Sequence, residues 1–352
     1  MDTESTVTKE KSRSLSGNQE RIKDFFEFSK PPQNIEFFEE LLMNFISEHE
    51  NSNRKIVLIT SGGTTVPLES RTVRFIDNFS AGTRGSSSAE HFLKNDYAVV
   101  FLHRKGSLEP FKRSLPPRDF LEALTVTKDD VVQVKPSYCS FIKKLLYEYE
   151  KCKNEKLLLS ICFTTLDEYL YLLKLCSQGL SNLGPRVMFY LAAAVSDFYI
   201  PNNELPEHKI QSSAGPLNIK LHLVPKMLSP LVSEWASSAF VTSFKLETDP
   251  KLLIPKAKKA LEKYKHQVVI GNVLDTRKRE VYLVTTENVT PIRLKNFDIT
   301  KGVEIEQYLV EQLIKDHHIF INSNLSNKRD QKKKTEQSHE VDVPAEDISS
   351  TS

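Results

Sequence analysis

The scarcities of the chain narrow its reading first. Four cysteines, Cys139, Cys152, Cys162 and Cys176, stand among 352 residues, and no two form a Cys-x-x-Cys pair. Nothing supplies histidine or cysteine at metal-ligand spacing, so neither a disulfide framework nor a protein-held metal is expected. The thiols read as reduced core or surface groups in a reducing compartment, and a catalytic cysteine has no nameable partner. No apolar run approaches the length that crosses a bilayer, and the N-terminus lacks the apolar stretch of a secretion signal. Neither sign of charge prevails: 48 lysines and arginines face 46 aspartates and glutamates, for a net charge of +2. Without a long basic stripe, nucleic acid is not an expected partner. The expected location is cytoplasmic, with a nuclear pool left open. Glycine is also sparse, with 11 residues. Neither G-x-G-x-x-G nor G-x-x-x-x-G-K-[ST] occurs, which removes the dinucleotide fingerprint and the P-loop.

The few glycines present are grouped. Ile56 to Ile59 is an unbroken β-branched and aliphatic run, as in a parallel strand buried on both faces. Gly62-Gly63 ends it, where backbone N–H groups can approach a ligand closely. A second small-residue cluster, Ser80, Gly82, Gly85 and Ser86 to Ser88, leads into a helix carrying Ala89, Phe92 and Leu93. Strand, glycine-rich turn and helix N-terminus together make an anion site, because free N–H groups and the positive end of the helix dipole converge. A plain tight turn followed by an ordinary helix start fits the same residues. Two clusters flanking a polar loop with arginine and asparagine favour a phosphate-bearing ligand.

Along the chain, residues 1–18 are polar and read as a disordered leader, 19–321 as a single α/β domain, and 322–352 as a disordered charged tail. Ile22 to His49 has helical periodicity broken at Pro31-Pro32. Strands are expected near 56–60, 98–102, 157–163, 187–194, 240–246, 268–271 and 281–284. Between them lie helices near 85–95, 141–149 and 226–237, a capping box at Thr165 and Glu168, and a last helix through Ile305, Leu309 and Leu313. Thr248-Asp249-Pro250 caps a further helix that either kinks or begins at Pro255. Residues 103–135 read as an irregular basic insertion, and about 199–224 as a flap with one extra strand. Alternating strands and helices predict a doubly wound, mainly parallel, Rossmann-like sheet with a flap and dimerisation excursion. Ligands gather at the carboxyl ends of such strands. That rule brings Gly62-Gly63, Ala192 to Asp197, Phe244 to Glu247 and Gly271-Asn272 to one crevice.

A set of motifs then becomes specific. They are Ser61-Gly62-Gly63-Thr64, Pro67-Leu68-Glu69, Val73-Arg74-Phe75-Ile76-Asp77-Asn78-Phe79-Ser80-Ala81-Gly82, Ala192-Ala193-Ala194-Val195-Ser196-Asp197, His208-Lys209-Ile210 and Phe244-Lys245-Leu246-Glu247-Thr248. Their order over roughly residues 35 to 320 resembles phosphopantothenoylcysteine synthetase (phosphopantothenate–cysteine ligase) of coenzyme A biosynthesis, in its free-standing eukaryotic form. The resemblance implies that the carboxylate of 4′-phosphopantothenate attacks a nucleoside triphosphate, releasing pyrophosphate. The L-cysteine amine then displaces the nucleotide monophosphate. Neither step needs a protein nucleophile, and no Ser-His-Asp or Cys-His signature is present.

On matching positions the resemblance implies further roles. Gly62, Ser80, Gly82 and Gly85 would cradle nucleotide phosphates, with Phe244 near the base and Asn272 near the sugar or base. Asn78 would hold the activated acyl group, and Lys209 on the flap would approach the triphosphate or anhydride. Ala193, Ala194 and Asp197 would contact phosphopantothenate, although Asp197 could also cap the following turn. Arg74 would bind the substrate phosphate across a subunit boundary, which implies a homodimer with a shared active site. Where bacterial members carry Lys-Ile-Lys-Lys at the flap, this chain has Lys209-Ile210-Gln211-Ser212. With that departure, the eukaryotic-type spellings place ATP with Mg²⁺ ahead of CTP. The helix at 34–49 and the charged tail are candidate docking elements for other enzymes of the pathway. Two other classes are weighed, a nicotinamide-dependent reductase and a non-catalytic binding subunit. The first lacks both the glycine fingerprint and an acidic residue closing the second strand, and the second would not need the whole site.

Overall fold

The computed structural model describes residues 17–115, 120–212 and 215–339. The leader before residue 17 and the tail beyond residue 339 lie outside the described residues. Helix α1 (residues 17–28) and helix α2 (Ile35–Glu50) flank the Pro31-Pro32 break. The α1 helix begins inside the expected leader, where Asn18 is buried and accepts from the Lys226 N–H at 2.9 Å.

Strand β1 (Ile56–Ser61) is followed by a short ladder of β2 (Thr65–Pro67) and β3 (Phe75–Asp77), then by helix α3 (Thr83–Lys94) and β4 (Ala98–Arg104). The insertion after β4, expected to be irregular, holds a hairpin of β5 (Leu124–Val126) and β6 (Val132–Val134). Its strands are three residues long and hold no buried residue, so neither had a hydrophobic period to read. Helix α4 (Pro136–Asn154), β7 (Leu158–Phe163), α5 (Leu166–Leu180) and β8 (Val187–Leu191) come next. Two-residue strands β9 (Phe198–Tyr199) and β10 (His222–Leu223) pair at the base of the flap. The extra strand expected over 219–224 is therefore reduced to two residues, and Ile219, Leu221 and Leu223 are all exposed. A helical turn, α6 (Leu228–Pro230), runs into a π-helical turn (Leu231–Trp235).

The chain closes with β11 (Phe240–Glu247), α7 (Pro250–Tyr264), β12 (Val268–Val273), β13 (Glu280–Val284), β14 (Val289–Arg293), α8 (Asn296–Thr300) and α9 (Ile305–His339). Asp249 caps α7 through the Lys251 N–H at 2.9 Å, so this helix starts at Pro250 and carries Pro255 inside it. The last helix also corrects an expectation, because α9 continues past residue 322 to His339 where a disordered tail was read. That stretch is polar but rich in Lys, Gln and Glu, which are good helix formers.

Eight strands form one sheet in the order β14-β13-β12-β11-β8-β1-β4-β7. From β12 to β7 all pairs are parallel, while β13 and β14 add antiparallel strands at one edge. Side chains alternate across the sheet. Ile56, Leu58, Val100 and Leu102 pack with α1, α2 and α5, whereas Val57, Ile59, Val99 and Phe101 pack with α3 and α9. Helices on both faces make the fold doubly wound, as the alternation predicts. β7, expected to be buried, is the other edge strand and leaves Ser160 and Cys162 exposed. Cys152 and Cys176 are buried, and Cys139 is exposed. No helix of the described residues is long and apolar enough to cross a membrane.

Candidate active site

β12, β11, β8 and β1 are consecutive in the sheet and parallel. Their carboxyl ends therefore gather the four expected strand ends along one rim. At β1 the backbone turns through Gly62 at φ +84°, and a Cβ there would meet the Arg104 Cβ at 2.7 Å. At Gly63 a Cβ would stand 1.6 Å from the Asn78 carbonyl oxygen, so only glycine admits the loop that carries Asn78. The Ala194 N–H donates to the Gly62 carbonyl at 2.8 Å and the Thr64 N–H to the Ala194 carbonyl at 3.1 Å. The Asn78 N–H reaches the Thr64 carbonyl at 3.1 Å. Two hydroxyls tie the same strap down: Thr60 Oγ1 accepts from Ala193 N–H at 3.1 Å, and Thr64 Oγ1 from Ser196 N–H at 3.0 Å. Asn78, Gly62, Gly63, Ala193 and Ala194 thus form one woven surface.

Helix α3 points its start at this surface. Gly82, its N-cap, is left-handed at φ +81°, and no side chain caps the first turn. The first-turn N–H groups stay available to an anion. Ser80 Oγ accepts from the Gly82 N–H at 3.4 Å, and Ser61 Oγ donates to the Gly82 carbonyl at 3.1 Å. At Gly85 a Cβ would lie 2.4 Å from Ser61 Oγ, so the packing of the helix also requires glycine there. It allows α3 to press onto β1.

A third wall comes from the end of β4, which the sequence did not nominate. Arg104 pairs with the Asp77 carboxylate and donates to the Gly63 carbonyl at 3.4 Å. The Leu108 N–H donates to the Ala81 carbonyl at 2.9 Å. His103 is buried and contacts Ser160 Oγ at 3.0 Å, and burial lowers its pKa.

On the α3 side of β11 and β8, Phe244 meets Tyr190 edge-on at 4.9 Å, and the Tyr190 hydroxyl lies 2.7 Å from Ser88 Oγ. Burial pushes the Tyr190 phenol above its ordinary pKa. Asn272 is buried on β12, and its Oδ1 accepts from Arg84 Nη2 at 3.4 Å. Arg84, also absent from the expected set, is bound by Glu306 Oε1 at 2.7 Å and the Arg277 carbonyl at 2.6 Å.

Asp197 is exposed and pairs with Lys226 rather than capping the turn after it, while its carbonyl accepts from the Val224 N–H at 2.9 Å. Arg74 and the flap meet at Glu69, whose side chain is fully buried. Glu69 accepts from Arg74 Nη1 at 2.8 Å and from the N–H groups of Arg74, Val73 and Ile210 at 2.9, 3.3 and 3.4 Å. The Arg74 N–H foremost, against the opposing pull of burial, holds its carboxyl below the usual range. The flap is laced to the same turn by Ser70 N–H to the Pro206 carbonyl at 2.9 Å. Lys209 is exposed beside Ile210. Arg74 and the Ile210 N–H of the flap are therefore gathered at Glu69, with Lys209 exposed beside them.

No group of three His, Cys, Asp or Glu side chains among the described residues could hold a metal ion. A cavity of about 870 Å³ lies between α2, α4 and the β7 edge, lined by Phe45, Tyr149, Lys156 and Leu159. It shares no residue with the crevice.

A family model described as the DNA/pantothenate metabolism flavoprotein C-terminal domain matches residues 175–315. The chain is 46% identical over 300 residues to the phosphopantothenate–cysteine ligase of Homo sapiens, covering 84% of this chain and 96% of that protein. It is 44% identical over 300 residues to phosphopantothenate–cysteine ligase CAB2 of Saccharomyces cerevisiae, covering 78% of this chain and 79% of that one. A solved structure of a Cab2 histidine-to-alanine mutant in complex with phosphopantothenate-cysteine superposes with a TM-score of 0.79 at 42% identity, over 85% of this chain and 98% of that one. A DNA/pantothenate metabolism flavoprotein from Streptococcus pneumoniae shares the fold, with a TM-score of 0.51 at 20% identity over 76% of this chain and 99% of that one.

Proposed function

The chain belongs to the phosphopantothenate–cysteine ligase family, and from that premise we propose that it joins 4′-phosphopantothenate to L-cysteine in coenzyme A biosynthesis. In the first step a carboxylate oxygen of phosphopantothenate attacks the α-phosphorus of ATP. Pyrophosphate leaves and an acyl-adenylate forms. In the second step the cysteine amine attacks the acyl carbon, AMP leaves with the bonding pair, and the amine proton passes to solvent. Both steps need positioning and charge stabilisation more than a protein nucleophile.

The observation that carries this reading is the placement of Asn78. Its loop is laid on Gly63, where a Cβ would sit 1.6 Å from the Asn78 carbonyl, between the uncapped start of α3 and the Ala193-Ala194 strap. The cradle of Gly62, Ser80 and Gly82 receives the phosphates, Phe244 and Asn272 the nucleoside, and Ala193, Ala194 and Asp197 the phosphopantothenate. An amide at Asn78 can donate to the acyl carbonyl without changing charge. Lys209 approaches from the flap and neutralises charge on the triphosphate or the anhydride as the flap closes. The carboxylates near the crevice are already occupied, Asp77 by Arg104 and Asp197 by Lys226. That suits Mg²⁺ carried on the triphosphate with its own waters better than a protein cage.

The working form is a homodimer in the cytoplasm. Val73, Phe75 and Phe79, on the arm formed by β2, β3 and the loop that follows, and Phe198, Leu221 and Leu223, at the flap, leave large apolar side chains exposed, with Phe79 at 90%. A patch of that kind supports burial against a second copy, and Arg74 on the same arm would then serve the neighbour's substrate phosphate.

The test is turnover of the purified protein with phosphopantothenate, cysteine and Mg²⁺, with ATP and CTP in separate reactions. Pyrophosphate release that requires both phosphopantothenate and ATP, with AMP appearing on addition of cysteine, is the expected result. Release with CTP alone would keep the ligase and overturn the choice of nucleotide. Silence with both, from folded dimer, would overturn the enzymatic reading.

A further inference from the structure

Arg84 lies in the first turn of α3, between Gly82 and Gly85. Its guanidinium is held from two directions, by Glu306 Oε1 on α9 at 2.7 Å and by the Arg277 carbonyl beyond β12 at 2.6 Å. The Arg84 and Glu306 side chains retain only 16% and 10% of their exposure. So clamped, the side chain has little rotamer freedom left. Its Nη2 also donates to Asn272 Oδ1 at 3.4 Å.

The chemistry of arginine then decides which way Asn272 faces. The oxygen and nitrogen of an amide are easily exchanged on shape alone. A guanidinium, however, has five donors and no acceptor, so the Asn272 atom facing it must be the carbonyl oxygen. The amide nitrogen is turned the other way. Among the described residues Nδ2 has no protein partner, and it is not one of the buried side-chain atoms left unpaired, so its N–H groups are open to the crevice. The strand fixes the face as well. A Cβ on Gly271 would meet Leu253 of α7 at 3.1 Å, and Asn272, one residue on, belongs to the opposite, α3 face.

We propose that Arg84 is a positioning residue that sets Asn272 as a donor-only reader of the nucleotide, so that the atom recognised there is a hydrogen-bond acceptor, a ring nitrogen of the base or a ribose oxygen, and not an amino group. This rests on the reading that Asn272 meets the nucleotide. The same contacts join the start of α3, the β12–β13 turn and the start of α9 into one support. Lysine could keep the charge beside Glu306, but its single ammonium cannot also hold the Arg277 carbonyl and Asn272 in a fixed fork.

Two variants test the proposal, with nucleotide affinity measured by calorimetry and turnover measured beside it. The probes are ATP and its 1-deaza, 3-deaza, 7-deaza, 2′-deoxy and 3′-deoxy analogues, each lacking one acceptor. Wild type should lose roughly tenfold in affinity with one of these analogues, the value of one hydrogen bond. Arg84→Lys should bind ATP roughly tenfold more weakly, show little further loss with that analogue, and keep kcat at saturating ATP within about twofold. Asn272→Asp is isosteric and pairs better with Arg84, yet presents no donor. It should keep or raise the thermal midpoint while losing ATP affinity. An Asn272→Asp protein that binds ATP like wild type, or an Arg84→Lys protein that keeps the analogue penalty, would overturn the inference. Absence of ATP binding by wild type would instead remove the nucleotide site on which it rests, so the two failures are told apart by the wild-type arm.

Discussion

Thr242 shows what a single side chain costs when its polar atom has nothing to bond. It lies within β11, fully buried, and among the described residues its Oγ1 has no partner. Folding strips that hydroxyl of water without replacing the hydrogen bond, at a cost of about 1–3 kcal/mol. Valine has the same branched shape, keeps the strand preference and removes the orphan. The expected outcome for Thr242→Val is stabilisation by about 1 kcal/mol, seen as a higher urea midpoint with an unchanged slope. An unchanged or lower midpoint would mean that the hydroxyl finds a partner in solution. Residues of this kind cannot be picked out in a sequence, because Thr242 reads as an ordinary strand threonine. The same holds for Arg84 and Arg104, each of which takes its meaning from partners distant in the chain. Gly62 and Gly82 were legible because their role is local, a left-handed turn at the end of a strand and at the start of a helix. Gly85 was legible as part of the cluster, but its reason is the close approach of α3 to Ser61.

Elements with a local stop or start signal were readable, and α5 is the clearest. Thr165 Oγ1 accepts from the Glu168 N–H at 3.2 Å, and Glu168 Oε2 accepts from the N–H groups of Thr164 and Thr165 at 2.6 and 3.2 Å. The box was visible as Thr-x-x-Glu before an apolar period. Thr165→Ala removes one half of it and should destabilise the protein by about 1 kcal/mol. The loss would appear as a lower unfolding midpoint, with near-UV circular dichroism of the folded state unchanged. A shift within error would mean that water replaces the cap. Where local signals were weak, reading failed in a regular way. β5, β6 and β14 are three to five residues long and largely exposed, so no alternation distinguished them from loop. The continuation of α9 to His339 was missed because low hydrophobicity was read as disorder, although the residues there favour helix. Buried parallel strands such as β1 and β8 were found because burial on both faces leaves a continuous apolar run.

At the scale of the whole molecule, the crevice was legible because topology does the gathering. Four consecutive parallel strands must release their loops on one side, so motifs as far apart in the chain as Gly62 and Asn272 were expected together, as β1, β8, β11 and β12 place them. What topology does not gather are Arg74 and the flap that carries Lys209, joined at Glu69 through the Arg74 guanidinium and the Ile210 N–H. If each arm serves the other copy's site in a homodimer, Asn78 and Arg74 of one active centre come from different chains, which mixing can reveal. On the proposed roles, Arg74→Ala alone would leave both sites of such a dimer without the phosphate-binding guanidinium, and Asn78→Ala alone would leave both without the amide that holds the acyl group. When the two inactive variants are mixed and allowed to exchange, half the dimers carry one chain of each kind. In such a dimer the Asn78 of the first chain faces the Arg74 of the second, which makes one complete site and one doubly defective site. Activity should therefore return to about a quarter of wild type, with the time course of subunit exchange. Were both residues to act within one chain, every site in the mixture would still lack one of them, and no activity would return.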